Sequence, residues 1–128
     1  MKELPPVLEG GQPQKPVISI FSCGDTALER EVLAGIEEEG VPSSIDRRGG
    51  ETHSDAYSLA VEASRFSPLD VGIGIGRSGE ICVHYEKFTT AIDGLSYAAG
   101  DGNRVIARIA GHNAARLVIG IPLRKVRS

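Results

Sequence analysis

The chain has 128 residues, with 41% hydrophobic and 24% charged content, which fits one soluble globular domain with a substantial core. Its net charge of −3 and its aromatic content of 5%, without tryptophan, argue against a nucleic-acid partner, which calls for a basic surface and stacking rings. No apolar run approaches the roughly 20 residues that span a bilayer, and the N-terminus has no signal-peptide core. We therefore expect a cytoplasmic protein without a membrane segment.

The N-terminal residues 1–15 differ in composition from the rest of the chain. They hold three prolines and two glycines and show no apolar periodicity, which predicts a disordered tail. Residues 16–128 are then expected to form a single α/β domain. Two cysteines, Cys23 and Cys82, are too few for a disulfide framework, so we predict reduced, small packing residues.

The first elements are a buried strand and a long amphipathic helix. Residues 17–21 (VISIF) are continuously apolar, as in a strand covered on both faces. Residues 26–42 predict a helix, which Thr26 and Glu29 would open as a capping box and which a Gly-X-Pro sequence would end. Its core stripe has four-residue spacing: Leu28, Val32 and Ile36.

The remaining elements alternate between strand and helix patterns. We predict strands at 41–45, 70–75, 80–85 and 92–97, and helices at 54–65 and 103–119, with Asp101 as the last N-cap. The tight connection Arg77-Ser78-Gly79 makes the 70–75 and 80–85 strands a hairpin. The order predicts a three-layer α/β/α domain with a mixed sheet of four to five strands, one of them antiparallel.

Catalytic and ligand-binding motifs are weak. GIGIGRSG, at 72–79, leads into a strand rather than a helix, so we reject a phosphate-binding loop and expect Gly72, Gly74 and Gly76 to admit a close backbone. The three histidines lack metal-ligand spacing, and no serine has a nucleophile-elbow motif, so no residue receives a catalytic role. Asn113 lies near the apolar side of the last helix, where it needs partners such as backbone groups.

The predicted first helix ends in three acids, Glu37, Glu38 and Glu39. Acids in the last turn interact unfavourably with the helix dipole and destabilise the helix by roughly 0.3–1 kcal/mol each. Glu38 lies about 200° around the helix from the core residue Ile36, on an outward stripe of two alanines and two acids: Ala27, Glu31, Ala34 and Glu38. The simplest interpretation is a solvated acidic face, and the alternative is a surface for another chain. Cations crowd the last quarter of the sequence, which suggests a docking surface or salt links between helices: Arg104, Arg108, Arg116, Arg124, Lys125 and Arg127.

Four segments together resemble a known family. They are residues 30–42 (REVLAGIEEEGVP), 67–75 (SPLDVGIGI), 83–87 (VHYEK) and 111–124 (GHNAARLVIGIPLR). Together they are similar to the small subunit of the diol/glycerol dehydratase reactivase, the chaperone-like reactivating factor for adenosylcobalamin-dependent dehydratases. The first and last segments are the specific ones, and the tail and residues 89–108 match poorly.

The resemblance implies an anticodon-binding-domain-like fold and a non-catalytic role without a cofactor of its own. The partners it implies are an actin-like ATPase large subunit, with nucleotide and magnesium, and the dehydratase, from which damaged cobalamin is released by subunit exchange. It also implies that Glu38 completes a magnesium site at the interface with the large subunit, with Glu37 and Glu39 as alternatives. The stripe Ala27, Glu31, Ala34, Glu38 would then face that partner.

Several points stay open. The isolated chain could self-associate through an uncovered partner surface. The location could be the cytoplasm or a bacterial microcompartment. Two other functions are alternatives: a standalone small α/β ligand-binding domain or enzyme that uses the glycine-rich strand, and a β-type subunit of the dehydratase itself.

Overall fold

The structure, a computed structural model, describes residues 15–48, 55–88, 95–100 and 103–126. The predicted tail, apart from Lys15, lies outside these residues, as do His53 and the predicted cap Asp101.

The described chain forms a five-stranded mixed sheet with helices on both faces. The sheet order is β2-β1-β3-β4-β5, in which β1 runs parallel to β2 and β3, and β4 runs antiparallel to β3 and β5. The predicted three-layer architecture with one antiparallel strand is confirmed. The elements are β1 Ile18–Ser22, α1 Thr26–Glu38, β2 Ser43–Arg47, α2 Ala56–Phe66, β3 Val71–Ile75, β4 Ile81–Tyr85, β5 Ser96–Tyr97 and α3 Asn103–Ile119.

Two edge strands differ from their predicted bounds. β2 begins at Ser43, two residues later than predicted, because the N–H of Val41 still bonds the Ile36 carbonyl and closes helix α1. Pairing of Ile18 with Ser43 then sets the register of this strand. At the other edge only Ser96–Tyr97 forms β5, and residues 91–94 lie outside the described part of the chain.

The predicted capping box at the start of α1 is wrong. Asp25 is the N-cap, and its Oδ1 accepts a hydrogen bond of 3.1 Å from the N–H of Leu28. With Asp25 in that role, Leu28 rather than Glu29 occupies the third helical position. The Glu29 side chain instead turns to the strand ends, where it meets Ser22 and Arg47.

The sheet separates two unequal helix layers. Alternate residues of β3, Val71, Ile73 and Ile75, enter the large core that α1 and α3 cover. Gly72 and Gly74 point the other way, and a Cβ on either would overlap backbone atoms of α2. The expected close backbone approach is therefore confirmed at these two glycines, where the α2 backbone fills the space, whereas a Cβ on Gly76 would meet the Glu80 side chain.

The glycine-rich stretch ends in a tight turn. The N–H of Gly76 donates to the Glu80 carbonyl at 2.8 Å, and Gly79 adopts a φ of +89° that favours glycine. This confirms the predicted β3–β4 hairpin.

Helices α1 and α3 are in backbone contact where they cross. A Cβ on Gly35 would overlap the carbonyl oxygen of Arg108, and a Cβ on Gly111 would overlap the carbonyl oxygen of Val32. The paired glycines therefore set the distance between the two helices. As a result, the acidic last turn of α1 lies beside the middle of α3.

Candidate interaction surface on helices α1 and α3

The acids of α1 meet a row of basic side chains on α3, two arginines and a histidine. Arg108 Nε donates to Glu31 Oε1 at 2.9 Å, and Arg116 Nε donates to Glu39 Oε2 at 2.8 Å. His112 lies between them, with Nδ1 2.6 Å from Glu39 Oε2. We call this set the acid–base ladder: Glu31, Glu38, Glu39, Arg108, His112 and Arg116.

Glu38 is the most accessible acid of the ladder. Its Oε2 accepts a hydrogen bond from Arg108 Nη1 at 3.0 Å, and its Oε1 lies 2.9 Å from His112 Nε2. The Glu38 side chain nevertheless stays 50% exposed, against 12% for Glu39. One carboxylate is thus bound within the chain and still open to a second partner.

The ladder keeps its carboxylates ionised. For Glu38, desolvation raises the pKa, but the hydrogen bonds and charges of Arg108 and then His112 together outweigh it, so the pKa lies below its usual value. For Glu39, hydrogen bonds from Arg116 and His112 lower the pKa. At neutral pH both groups are therefore anionic, which is the form that binds a hard cation.

The stripe Ala27, Glu31, Ala34 and Glu38 is not the free surface that helical periodicity predicts. Glu31 and Glu38 have partners on α3 within the same chain. The sequence did carry a signal for this contact, because Arg108, His112 and Arg116 recur at four-residue spacing and share one face of a helix. Salt links between helices, one of the two readings of the C-terminal cations, are confirmed for Arg108 and Arg116.

A separate acid, Glu29, is buried at the opposite end of α1. Its side chain accepts hydrogen bonds from Ser22 Oγ at 2.7 Å and from Arg47 Nη2 at 2.6 Å. Burial raises the pKa of Glu29, but the bonds from Arg47 and Ser22 outweigh it, and the pKa lies below its usual value. With only 2% of Glu29 exposed, this group ties α1 to the ends of β1 and β2 and has no room for a ligand.

Asn113, fully buried on α3, fastens the segment that follows the helix. Its Oδ1 accepts from the N–H of Arg124 at 2.6 Å, and its Nδ2 donates to the Arg124 carbonyl and to the Tyr97 hydroxyl, each at 2.9 Å. The expectation that Asn113 needs backbone partners is confirmed. Arg116 adds a bond of 3.0 Å to the Pro122 carbonyl, so residues 121–126 are held against α3.

The other candidate ligands are packing residues. His84 is buried on the α2 side of β4, with ring edges toward Tyr57 and Phe88, and burial lowers its pKa. Cys23 and Cys82 are not joined by a disulfide. Across the described residues, no group of three or more His, Cys, Asp or Glu side chains is arranged to hold a metal ion. None of the helices among these residues is long and apolar enough to cross a membrane.

Comparison with known proteins identifies the class. The sequence profile of the family described as dehydratase medium subunit matches residues 15–124. The propanediol dehydratase-reactivating factor small subunit of Citrobacter freundii is 40% identical over 114 residues, covering 88% of this chain and 94% of the relative. The diol dehydratase-reactivating factor small subunit of Klebsiella michiganensis is 38% identical over 120 residues, covering 92% of this chain and 91% of the relative.

Solved structures agree with these relatives. A chain in the structure of diol dehydratase-reactivating factor complexed with ADP and Mg²⁺ has a TM-score of 0.71 and 36% identity, covering 88% of this chain and 100% of that one. A glycerol dehydratase reactivase chain has a TM-score of 0.71 and 32% identity, covering 87% of this chain and 98% of that one. The chain therefore belongs to the dehydratase medium subunit family and, within it, to the dehydratase-reactivating factor small subunits. The likeness to anticodon-binding domains stays a prediction.

Proposed function

We propose that the chain is the exchangeable, non-catalytic subunit of a reactivating factor for a diol or glycerol dehydratase. In this role it binds an actin-like ATPase large subunit and helps release damaged cobalamin from the inactivated dehydratase by subunit exchange. The observation that carries the proposal is 40% identity across 94% of a reactivating-factor small subunit. ATP hydrolysis is assigned to the large subunit, and the site of action is the cytoplasm or a bacterial microcompartment.

Glu38 is the residue that we propose to bind the shared magnesium. Its carboxylate is ionised and half exposed, and a related chain was solved in a complex with ADP and Mg²⁺. Mg²⁺ prefers carboxylate oxygens and keeps several waters, so one glutamate donated across an interface suits it. The described residues hold no three-ligand group, so the remaining ligands would come from water and the large subunit.

Magnesium binding at Glu38 would compete with the ladder. Both oxygens of Glu38 already have partners, Arg108 and His112. We therefore expect docking of the large subunit to exchange at least one of these hydrogen bonds for a metal bond. The ladder holds Glu38 in place before docking, and its exposed half leaves a path for the metal.

The test compares three glutamate variants in affinity for the large subunit. Glu38→Gln removes the charge with little change in shape, and we expect it to weaken association by about tenfold in Mg²⁺ and far less in EDTA. Glu39→Gln is the matched control, since Glu39 also contacts His112, as Glu38 does, but its side chain is only 12% exposed. Equal affinities in Mg²⁺ and EDTA for the unmodified chain would remove the metal bridge. If Glu37→Gln or Glu39→Gln instead loses affinity for the large subunit only in Mg²⁺, the metal ligand is that glutamate rather than Glu38.

A second candidate function is a β-type subunit of the dehydratase itself. The family description, dehydratase medium subunit, favours it. Purification from the native source separates the two, because a reactivating-factor subunit would co-purify with an ATPase and a dehydratase subunit with a cobalamin-binding protein. The third alternative, a standalone ligand-binding domain or enzyme, depended on space for a ligand beside the glycine-rich strand. The α2 backbone occupies that space beside Gly72 and Gly74.

A further inference from the structure

A cleft of about 660 Å³ lies on the surface between β5, α3 and the C-terminal segment 121–126. Its walls include Tyr97 from the sheet edge, Ile106 from α3, and Leu123 and Val126 from the segment. The cleft is separate from the acid–base ladder, and neither the sequence motifs nor the magnesium proposal gives it a role.

The walls of this cleft are fixed by hydrogen bonds from one buried side chain, Asn113. Asn113 binds both the N–H and the carbonyl of Arg124 on one wall, and the hydroxyl of Tyr97 on the other. A fully buried amide that joins two walls through three hydrogen bonds makes a preformed surface. Preformed surfaces bind with less loss of conformational entropy than surfaces that order on contact.

The segment that Asn113 holds in place presents aliphatic side chains to solvent. Leu123 is 39% exposed and Val126 is 40% exposed, both beside the cleft. Large exposed aliphatic groups that cluster along one groove mark interaction sites more often than scattered ones do. The hydrogen bonds of Asn113 therefore hold two aliphatic side chains, Leu123 and Val126, at the surface rather than in the core.

Three basic side chains lie along this cleft and its border. Arg124 and Lys125 line the cleft itself. Arg104 lies with Arg124 along an adjoining surface cleft, which the ladder pair Glu31 and Arg108 also lines. Over the ranges that the structure describes, none of these three side chains forms an ion pair, whereas Arg108 and Arg116 of α3 do. The groove is therefore complementary to a segment that carries both aliphatic side chains and carboxylates.

We propose that this groove, lined by Tyr97, Ile106, Leu123 and Val126 and flanked by Arg104, Arg124 and Lys125, docks an acidic, aliphatic segment of a partner protein. The inference rests on the proposed function, which makes that partner the large subunit of the reactivating factor. The aliphatic contacts supply the buried centre of the interface, and the cations set orientation and association rate.

The test measures binding of the intact chain to the purified large subunit by calorimetry. We expect Leu123→Ser/Val126→Ser and Arg124→Glu/Lys125→Glu each to weaken binding by about tenfold or more. The charge variant keeps the backbone bonds between residue 124 and Asn113, so it tests the surface rather than the fold. Arg77→Glu/Lys87→Glu, a charge reversal at two exposed positions that do not line the groove, is the matched control.

The outcomes separate the groove from the proposed function. Losses in both groove variants, with unchanged thermal unfolding and a normal control, support the groove. If both variants bind with the affinity of the unmodified chain, the groove proposal is wrong and the proposed function stands. If the unmodified chain itself does not bind the large subunit, both the groove proposal and the proposed function are wrong. Dissociation of a homodimer by the groove substitutions would assign the groove to a second copy. Amide shifts at Tyr97 and Val126 on deletion of residues 1–14 would assign it to the chain's own N-terminus. Either result overturns the proposal.

Discussion

The two ends of helix α1 hold acids in opposite ways. Glu29, in the first turn, is 2% exposed and is bound by Ser22 and Arg47 at the ends of two strands. Glu38, in the last turn, is 50% exposed and is bound by Arg108 and His112 of a neighbouring helix. The helix dipole favours an acid at the first position and opposes one at the second.

This difference separates an anchoring acid from an exchangeable one. Glu29 is enclosed by the groups that bind it, so any new partner would have to displace packed side chains. The Arg108 guanidinium of α3 offsets the unfavourable dipole at Glu38, and solvent already reaches half of the Glu38 side chain. The proposal that Glu38 binds a shared magnesium therefore rests on its accessibility more than on its number of ion pairs.

The largest expected effect comes from separating α1 from α3. In Gly111→Ala the new methyl group would overlap the Val32 carbonyl, pushing α3 away and loosening the ladder while leaving the Glu29 group in place. We expect a net loss of about 2 kcal/mol in the free energy of unfolding, measured with urea. This net value already includes a gain of up to about 1 kcal/mol from the higher helix propensity of alanine. Gly100→Ala, with no atom within 4 Å of the new methyl group, is the control. Equal stability of the two variants would contradict the backbone contact.

A smaller loss is expected when the anchoring acid is neutralised. Glu29→Gln should cost about 1–2 kcal/mol at pH 7, because it weakens charge-assisted hydrogen bonds to a buried group. The pKa of folded Glu29 lies below its ordinary value of 4.5, so its contribution is present above pH 4.5 and lost as pH falls through the lowered folded pKa. The stability difference between Glu29→Gln and the unmodified chain should shrink in acid. A difference that grows below pH 4 would refute the assignment.

The smallest effect on stability is expected at the exchangeable acid. Glu38→Gln should change the thermal midpoint less than Glu29→Gln does, and added salt should reduce the change, because exposed ion pairs are screened. The same variant is the one expected to lose Mg²⁺-dependent affinity for the large subunit. Thermal unfolding at low and high NaCl measures the first effect. A large, salt-insensitive loss would make Glu38 a structural residue like Glu29.

Much of the fold could be predicted because its signals are local. The bounds of α3 follow from apolar spacing and the Gly-X-Pro stop, and the hairpin follows from a short glycine turn. The close approach of α2 follows from alternate glycines in a strand. Capping was predicted less well, because Asp25 and Thr26 are both good N-cap residues and the sequence pattern does not choose between them, whereas the structure has Asp25 as the cap.

The sequence by itself determined the three-layer architecture, the family and the unusual acids at the end of α1, since periodicity, turn residues and long motifs are properties of neighbouring residues. Only the tertiary structure decided what those acids contact. Glu38 lies 70 residues from Arg108, and their hydrogen bond depends on two glycines that let α1 and α3 approach. The same holds for Asn113 and for the groove beside it, because side-chain partners, burial and the grouping of basic side chains arise only when distant segments pack together.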